Sequence, residues 1–167
     1  MSSYPHTYCL DTNVLIVAWR SYYSPEFCSS YWDSLNSLGQ KGIIYIPQMV
    51  CEEITRLDDD LAHWLMQSNI AVHEIDENVL YHLDLLYGAH PSHKYLVDNI
   101  KQRSLADPWV IAHAMSTNSC VVTKEAQVIS PNPNNIRIPN VCSNLGLKCI
   151  TDFDMIKELN ISFTCTV

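Results

Sequence analysis

Ile43-Ile44-Tyr45-Ile46-Pro47-Gln48-Met49-Val50-Cys51-Glu52-Glu53-Ile54-Thr55-Arg56-Leu57 changes its period half-way along. The first four residues are an unbroken run of β-branched and aromatic side chains, as in a strand buried on both faces. Pro47 closes the run. Beyond it, Val50, Ile54 and Leu57 recur at helical spacing and predict a helix over 49–57. A doubly buried strand leading straight into a helix is half of a βαβ unit, which implies a parallel sheet with right-handed crossovers.

The same alternation extends in both directions. Residues 8–11 are a short strand. Ser24-Pro25-Glu26 has the form of a helix start, with Ser24 as N-cap, predicting a helix to about Gly39. Residues 61–67 read as a helix and 69–75 as a short strand. Helical spacing over 79–87 is broken by Gly88-Ala89-His90-Pro91, and 92–103 reads as helix again. Asp107-Pro108 opens a helix to about Ser116, followed by strands at 120–123 and 147–150 and a last helix over 152–159. Pro131 to Pro133 is a turn-rich loop. No repeat, low-complexity tract or linker interrupts the pattern, so a single domain is expected over residues 1–167.

Bulk properties narrow the class. A formal net charge of −8 argues against a protein that coats nucleic acid through many phosphate contacts. No apolar run has membrane-spanning length, and Met1-Ser2-Ser3-Tyr4-Pro5-His6 lacks the basic and apolar regions of a signal peptide, so a cytoplasmic protein with no membrane partner is expected. The seven cysteines are odd in number and form no C-x-x-C pair, which favours small buried hydrophobes over disulfides or a zinc ribbon.

In parallel α/β sheets, ligands sit at the carboxyl ends of the strands. Acids fall there repeatedly. Asp11 ends the first strand, where it can also form an Asx-turn or an N-cap. Glu52 and Glu53 lie on the helix after the second strand. They point about 100° apart, and Glu53 is nearer the Val50–Ile54 side. Asp107 has the form of an N-cap before Pro108, and Glu125 follows the strand ending at Thr123. Acids crowded together repel one another. A hard divalent ion such as Mg²⁺ or Mn²⁺, which prefers oxygen ligands, relieves that repulsion and can activate water at a phosphodiester.

The residues also carry a resemblance. Leu10-Asp11-Thr12-Asn13-Val14-Leu15 resembles the opening motif of PIN domains as found in VapC-type toxins. Pro47-x-x-Val50-x-x-Glu53-Ile54, Leu105-Ala106-Asp107-Pro108-Trp109-Val110-Ile111-Ala112-His113-Ala114 and Val121-Val122-Thr123-Lys124-Glu125 resemble the later family blocks, in the same order. The resemblance spans residues 8–159. It implies an α/β fold, a three-layer α/β/α sandwich around a central parallel sheet. It also implies a metal and catalytic site of Asp11, Glu53, Asp107 and Glu125 binding Mg²⁺ or Mn²⁺, with Asn13 and Thr123 in support. The activity it implies is metal-dependent endoribonuclease cleavage of RNA, as the toxin of a toxin–antitoxin pair. A small antitoxin and a second copy in a homodimer are the implied partners. Two positions depart from the family pattern: Glu125 stands where VapC-type members have Asp, and Pro108 is unusual at its place.

Several other residues invite a role. Lys94, Lys101, Arg103 and Lys124 are candidate phosphate contacts, and Tyr95 and Trp109 candidate stacking platforms. Each can equally be ordinary: a solvated helix face, core aromatics, or a lysine paired with an acid. His90-Pro91-Ser92-His93 reads as a surface loop, His113 as a packing histidine, and Asp58-Asp59-Asp60 as a helix-start cluster. The competing functional readings are a PIN-like RNA- or protein-binding module without activity, and a phosphohydrolase on a Rossmann-like sheet. The second is disfavoured by four glycines and the absence of G-x-G-x-x-G or a P-loop.

Overall fold

A computed structural model describes residues 7–98 and 104–167. Five strands form one all-parallel sheet in the order β3-β2-β1-β4-β5. They are β1 (Tyr8–Leu10), β2 (Ile44–Pro47), β3 (Ala71–His73), β4 (Cys120–Val122) and β5 (Cys149–Ile150). The helices are α1 (Thr12–Val17), α2 (Ser29–Gln40), α3 (Gln48–Thr55), α4 (Asp60–Gln67), α5 (Glu77–Ala89), α6 (Asp107–Thr117), α7 (Ile138–Leu145) and α8 (Asp152–Glu158). They flank the sheet to give the three-layer α/β/α architecture. α6 packs across β1, β2 and β4, with α5 and α7 against it, while α2 packs on β2 and α1 on α3.

Burial explains the strand composition. β1, β2 and β4 are buried at every position, so each needs apolar side chains on both faces. The edge strands β3 and β5 are more exposed. α6 is buried nearly all round, from Pro108 through Ala114, and so has little amphipathic signature.

The strand order creates the site. The chain leaves β1 towards β2 and β3 on one side, then returns to β4 and β5 on the other. The switch point therefore lies between β1 and β4, where a crevice opens beyond the strand ends. Leu10 is in register with Val122, so Asp11 and Thr123, the next residues of each chain segment, meet at that crevice.

Some local expectations are corrected. Ser24 does not cap α2. Its carbonyl accepts from Phe27 N and Cys28 N at 3.1 and 2.9 Å in a separate turn, and the helix starts at Ser29. Residues 92–96 do not begin an α-helix; Pro91–Leu96 is a 3₁₀ helix. α1 runs on into a π-helical turn, Ala18–Tyr22. Trp19 of that turn packs on Trp32 of α2, with ring centroids 4.7 Å apart, and Trp32 on Trp64 of α4 at 4.8 Å.

Candidate active site

Asp11 is 2% exposed. Its Oδ1 accepts from Thr12 N at 2.7 Å, and its Oδ2 accepts from the Thr123 hydroxyl at 2.8 Å. It is both the N-cap of α1 and a fixed carboxylate at the mouth of the sheet. The Thr12 hydroxyl donates to Glu53 Oε2 at 2.7 Å, which joins α1 to α3. Glu53 thus turns inward, while Glu52 stays exposed and accepts from Gln48 Nε2 at 2.9 Å.

Asn13 and Thr123 knit the ends of β1 and β4 together. Asn13 Oδ1 accepts from Lys124 N at 2.9 Å, and its Nδ2 donates to the Thr123 hydroxyl at 3.4 Å. The Thr123 hydroxyl also accepts from Glu125 N at 3.1 Å. Glu125 Oε2 accepts from Ile138 N at 3.0 Å. Its carboxylate therefore satisfies an orphan amide at the start of α7, where the helix dipole favours negative charge.

Asp107 differs from its expected role. It is the first residue of α6, with Ala106 at the cap position and Pro108 in the first turn, and no side chain caps the helix. The Asp107 side chain is supported by Ser104, whose φ is 57°. A carboxylate 9% exposed and not spent on capping is available for another role.

These acids repel one another. Burial, followed by the charges of Asp11, Glu125 and Glu53, pushes the Asp107 carboxyl up to about 9. Burial also lifts Asp11 to about 7, with the Thr123 hydroxyl bond pulling the other way and Glu125 and Glu53 adding repulsion. Among the described residues, no three His, Cys, Asp or Glu side chains converge into a ready-made metal cage. The acids at this end of the sheet offer hard oxygens, the ligand type that Mg²⁺ and Mn²⁺ prefer.

The candidate cations are distributed differently. Lys124 Nζ bonds Asp152 Oδ1 at 2.8 Å and lies over the rings of Phe153 and Tyr22, 4.2 and 4.7 Å from their centroids. Its ammonium is enclosed rather than offered to a ligand. Lys94 is exposed, 5.0 Å from the Tyr95 ring centroid. Lys101 and Arg103 lie outside the described residues. Arg56, the residue that caps the C-terminus of α3, is exposed.

Two histidines, His93 and His113, are buried. Burial and the nearby His73 lower His113 to about 4, so it is neutral in the core. His93 is not in a surface loop: it is fully buried, with Nδ1 bonded to Leu86 O at 2.7 Å and Nε2 to Asn144 Nδ2 at 3.0 Å. Asp59 caps α4 through Ala62 N.

A family described as a domain of unknown function, DUF4411, matches residues 8–163. No curated protein matches the chain. One chain of the crystal structure of VapBC2 from Rickettsia felis bound to a DNA fragment from their promoter is similar in fold. The TM-score is 0.50 at 17% identity, covering 71% of this chain and 88% of that one. The likeness supports a PIN-like fold.

Proposed function

From a chain that belongs to the DUF4411 family, a domain of unknown function, we infer a metal-dependent endoribonuclease, acting as the toxin of a toxin–antitoxin pair in the cytoplasm. One observation carries this reading. Two buried carboxyls, Asp11 and Asp107, are raised by burial and by the charges around them, at the strand-end crevice where such folds bind ligands. Uncompensated acids of this kind weaken a fold and are kept where they bind a cation or do chemistry.

Asp11, Glu53, Asp107 and Glu125 would hold Mg²⁺ or Mn²⁺. When bound, the ion supplies positive charge for the scissile phosphate and a water of lowered pKa. The protein's own share is positioning. Thr123 and the Thr12 amide fix both oxygens of Asp11, and the Thr12 hydroxyl aims Glu53. Glu125 keeps one oxygen on the first amide of α7, and its other oxygen would be the one to reach the ion, directly or through water. The longer Glu125 side chain reaches the start of α7, and its charge is still felt at Asp11 and Asp107.

A small antitoxin covering the crevice, and a homodimer, belong to this proposal. The single-domain organisation belongs to it too. The test is incubation of a mixed labelled RNA pool with purified protein in Mn²⁺, Mg²⁺ or EDTA. Cutting is expected in either metal and none in EDTA. A folded protein that binds RNA and leaves it intact in every metal would instead be a binding module.

A further inference from the structure

The loop from β4 to α7 and the 3₁₀ helix after α5 enclose an open cleft of about 270 Å³. Gln127 and Asn135 of the loop, Asn144 of α7 and His90 at the end of α5 all line it. None of the four acids does, and neither does any lysine or arginine.

Hydrogen bonds inside the fold fix what the cleft presents. His93 is fully buried. Its Nδ1 lies 2.7 Å from Leu86 O, a group that only accepts, so its Nε2 accepts from Asn144 Nδ2 at 3.0 Å. Asn144 Oδ1 is left as an acceptor with no partner among the described residues. Ser92 N donates to His90 Nδ1 at 3.2 Å, so the neutral His90 ring carries its proton on Nε2, where it can donate. Asn140 holds the loop against α7. Its Oδ1 accepts from Val128 N and Arg137 N at 3.1 and 3.2 Å, and its Nδ2 donates to Val128 O at 2.8 Å. The cleft is therefore formed before anything binds, which lowers the cost of binding.

The lining selects its occupant. A charged group entering would give up water with no opposite charge to offset the loss. His90 is the only ring among the lining residues, and it packs towards His93 with ring centroids 5.6 Å apart, so a base or a sugar finds no open face to stack on. Carboxamide side chains carry the donor and acceptor of a peptide group in one plane and can pair with its N–H and C=O together. Val128, Pro131, Pro133 and Ile136 add apolar walls. Ile129 stands at the rim between two lining residues and is 99% exposed. A chain that extends over it gains the burial of a whole apolar side chain, which a small ligand inside the cleft would leave in water.

We propose that this cleft docks an extended, uncharged peptide segment of a protein partner. Asn144 Oδ1 accepts from a backbone N–H of the segment, His90 Nε2 donates to a backbone carbonyl, and an apolar side chain of the segment covers Ile129. At about 3.3 Å per residue, the cleft takes roughly two or three residues. The surface is separate from the crevice of acids, and the proposal stands without the nuclease reading.

The probe is an uncharged tripeptide of alanine and valine, N-acetylated and C-methylamidated. It is titrated into the isotope-labelled full chain and followed by NMR, beside uridine and an analogue whose central amide is an ester. Saturable shifts are expected at the side-chain amide signals of Gln127, Asn135 and Asn144. The ester lacks one N–H and should bind about threefold to tenfold more weakly. Gln127→Ala combined with Asn135→Ala should weaken the tripeptide roughly fivefold, as should Ile129→Ser. These side chains are exposed, so the variants should melt at the wild-type temperature. The assignment is overturned if the tripeptide shifts none of these signals, or if the ester binds equally well. It is also overturned if uridine moves the same signals as strongly, or if the variants keep full affinity.

Discussion

Asp107→Asn is expected to slow RNA cleavage on the order of 10²–10³-fold while making the metal-free protein more resistant to heat at pH 8. The two effects share one cause. In the folded, metal-free chain, burial and three neighbouring acids raise this carboxyl to about 9, against an ordinary value of 3.8. The folded state therefore holds its proton more tightly than the unfolded state does. Stability from this group is complete below about pH 4 and is lost as pH rises through the folded value near 9. At pH 8 most of that loss has occurred, and Asn does not suffer it. Allowing for relaxation around the site, the gain is roughly 2 kcal/mol, or about 4–8 °C in Tm. Because Asp107 begins α6 without capping it, the substitution leaves the helix start intact. Thermal melts at pH 5 and pH 8 check this: wild type and variant should converge at the acidic end. A variant that cuts RNA at the normal rate would place the chemistry elsewhere.

Lys124→Met is expected to be the most destabilising of the changes considered, by about 3–5 kcal/mol, because it strands a buried anion. Asp152 is 1% exposed and Lys124 14%, and their bond is 2.8 Å long. Among the described residues Asp152 Oδ2 has no hydrogen-bond partner, so the lysine is the charged group that offsets this acid's burial. A fall in Tm of roughly 6 °C or more should follow, and Asp152→Asn on the same background should recover much of it. The pair lies one residue from Glu125 and anchors the end of β4 to the first residue of α8. Its loss should therefore also loosen the site. A melting temperature indistinguishable from wild type would mean that water reaches Asp152 and that the pair does not hold the loop.

The elements that were legible in the sequence are those whose burial is uniform. Ile44 to Ile46 and Cys120 to Val122 are covered on both faces, so hydrophobicity alone marks them. α3 and α4 carry their apolar residues on one side, and periodicity marks those. α7 is not among the elements that the sequence predicts, although Pro139 falls in its first turn, where no amide is needed. The start of α2 was misplaced because Ser24-Pro25 is a good helix opening locally, but the chain turns again at Cys28, whose φ and ψ of −138° and 54° are not helical.

Legibility of the site followed the same division. Acids at strand ends can be placed from the strands, and the choice of Glu53 over Glu52 rested on helical phase. What the sequence could not express was long-range pairing. The partner of Lys124 is 28 residues away, and the α7 amide that holds Glu125 belongs to a helix the pattern hid.

Calorimetric titration of Mn²⁺ into the wild type, Asp11→Asn, Asp107→Asn and the exposed control Glu52→Gln tests most directly whether the four acids act as one metal site. One site is expected in the wild type and in Glu52→Gln, weakened more than about tenfold in both aspartate variants. Equal binding by all four proteins, or no binding by the wild type, would contradict it.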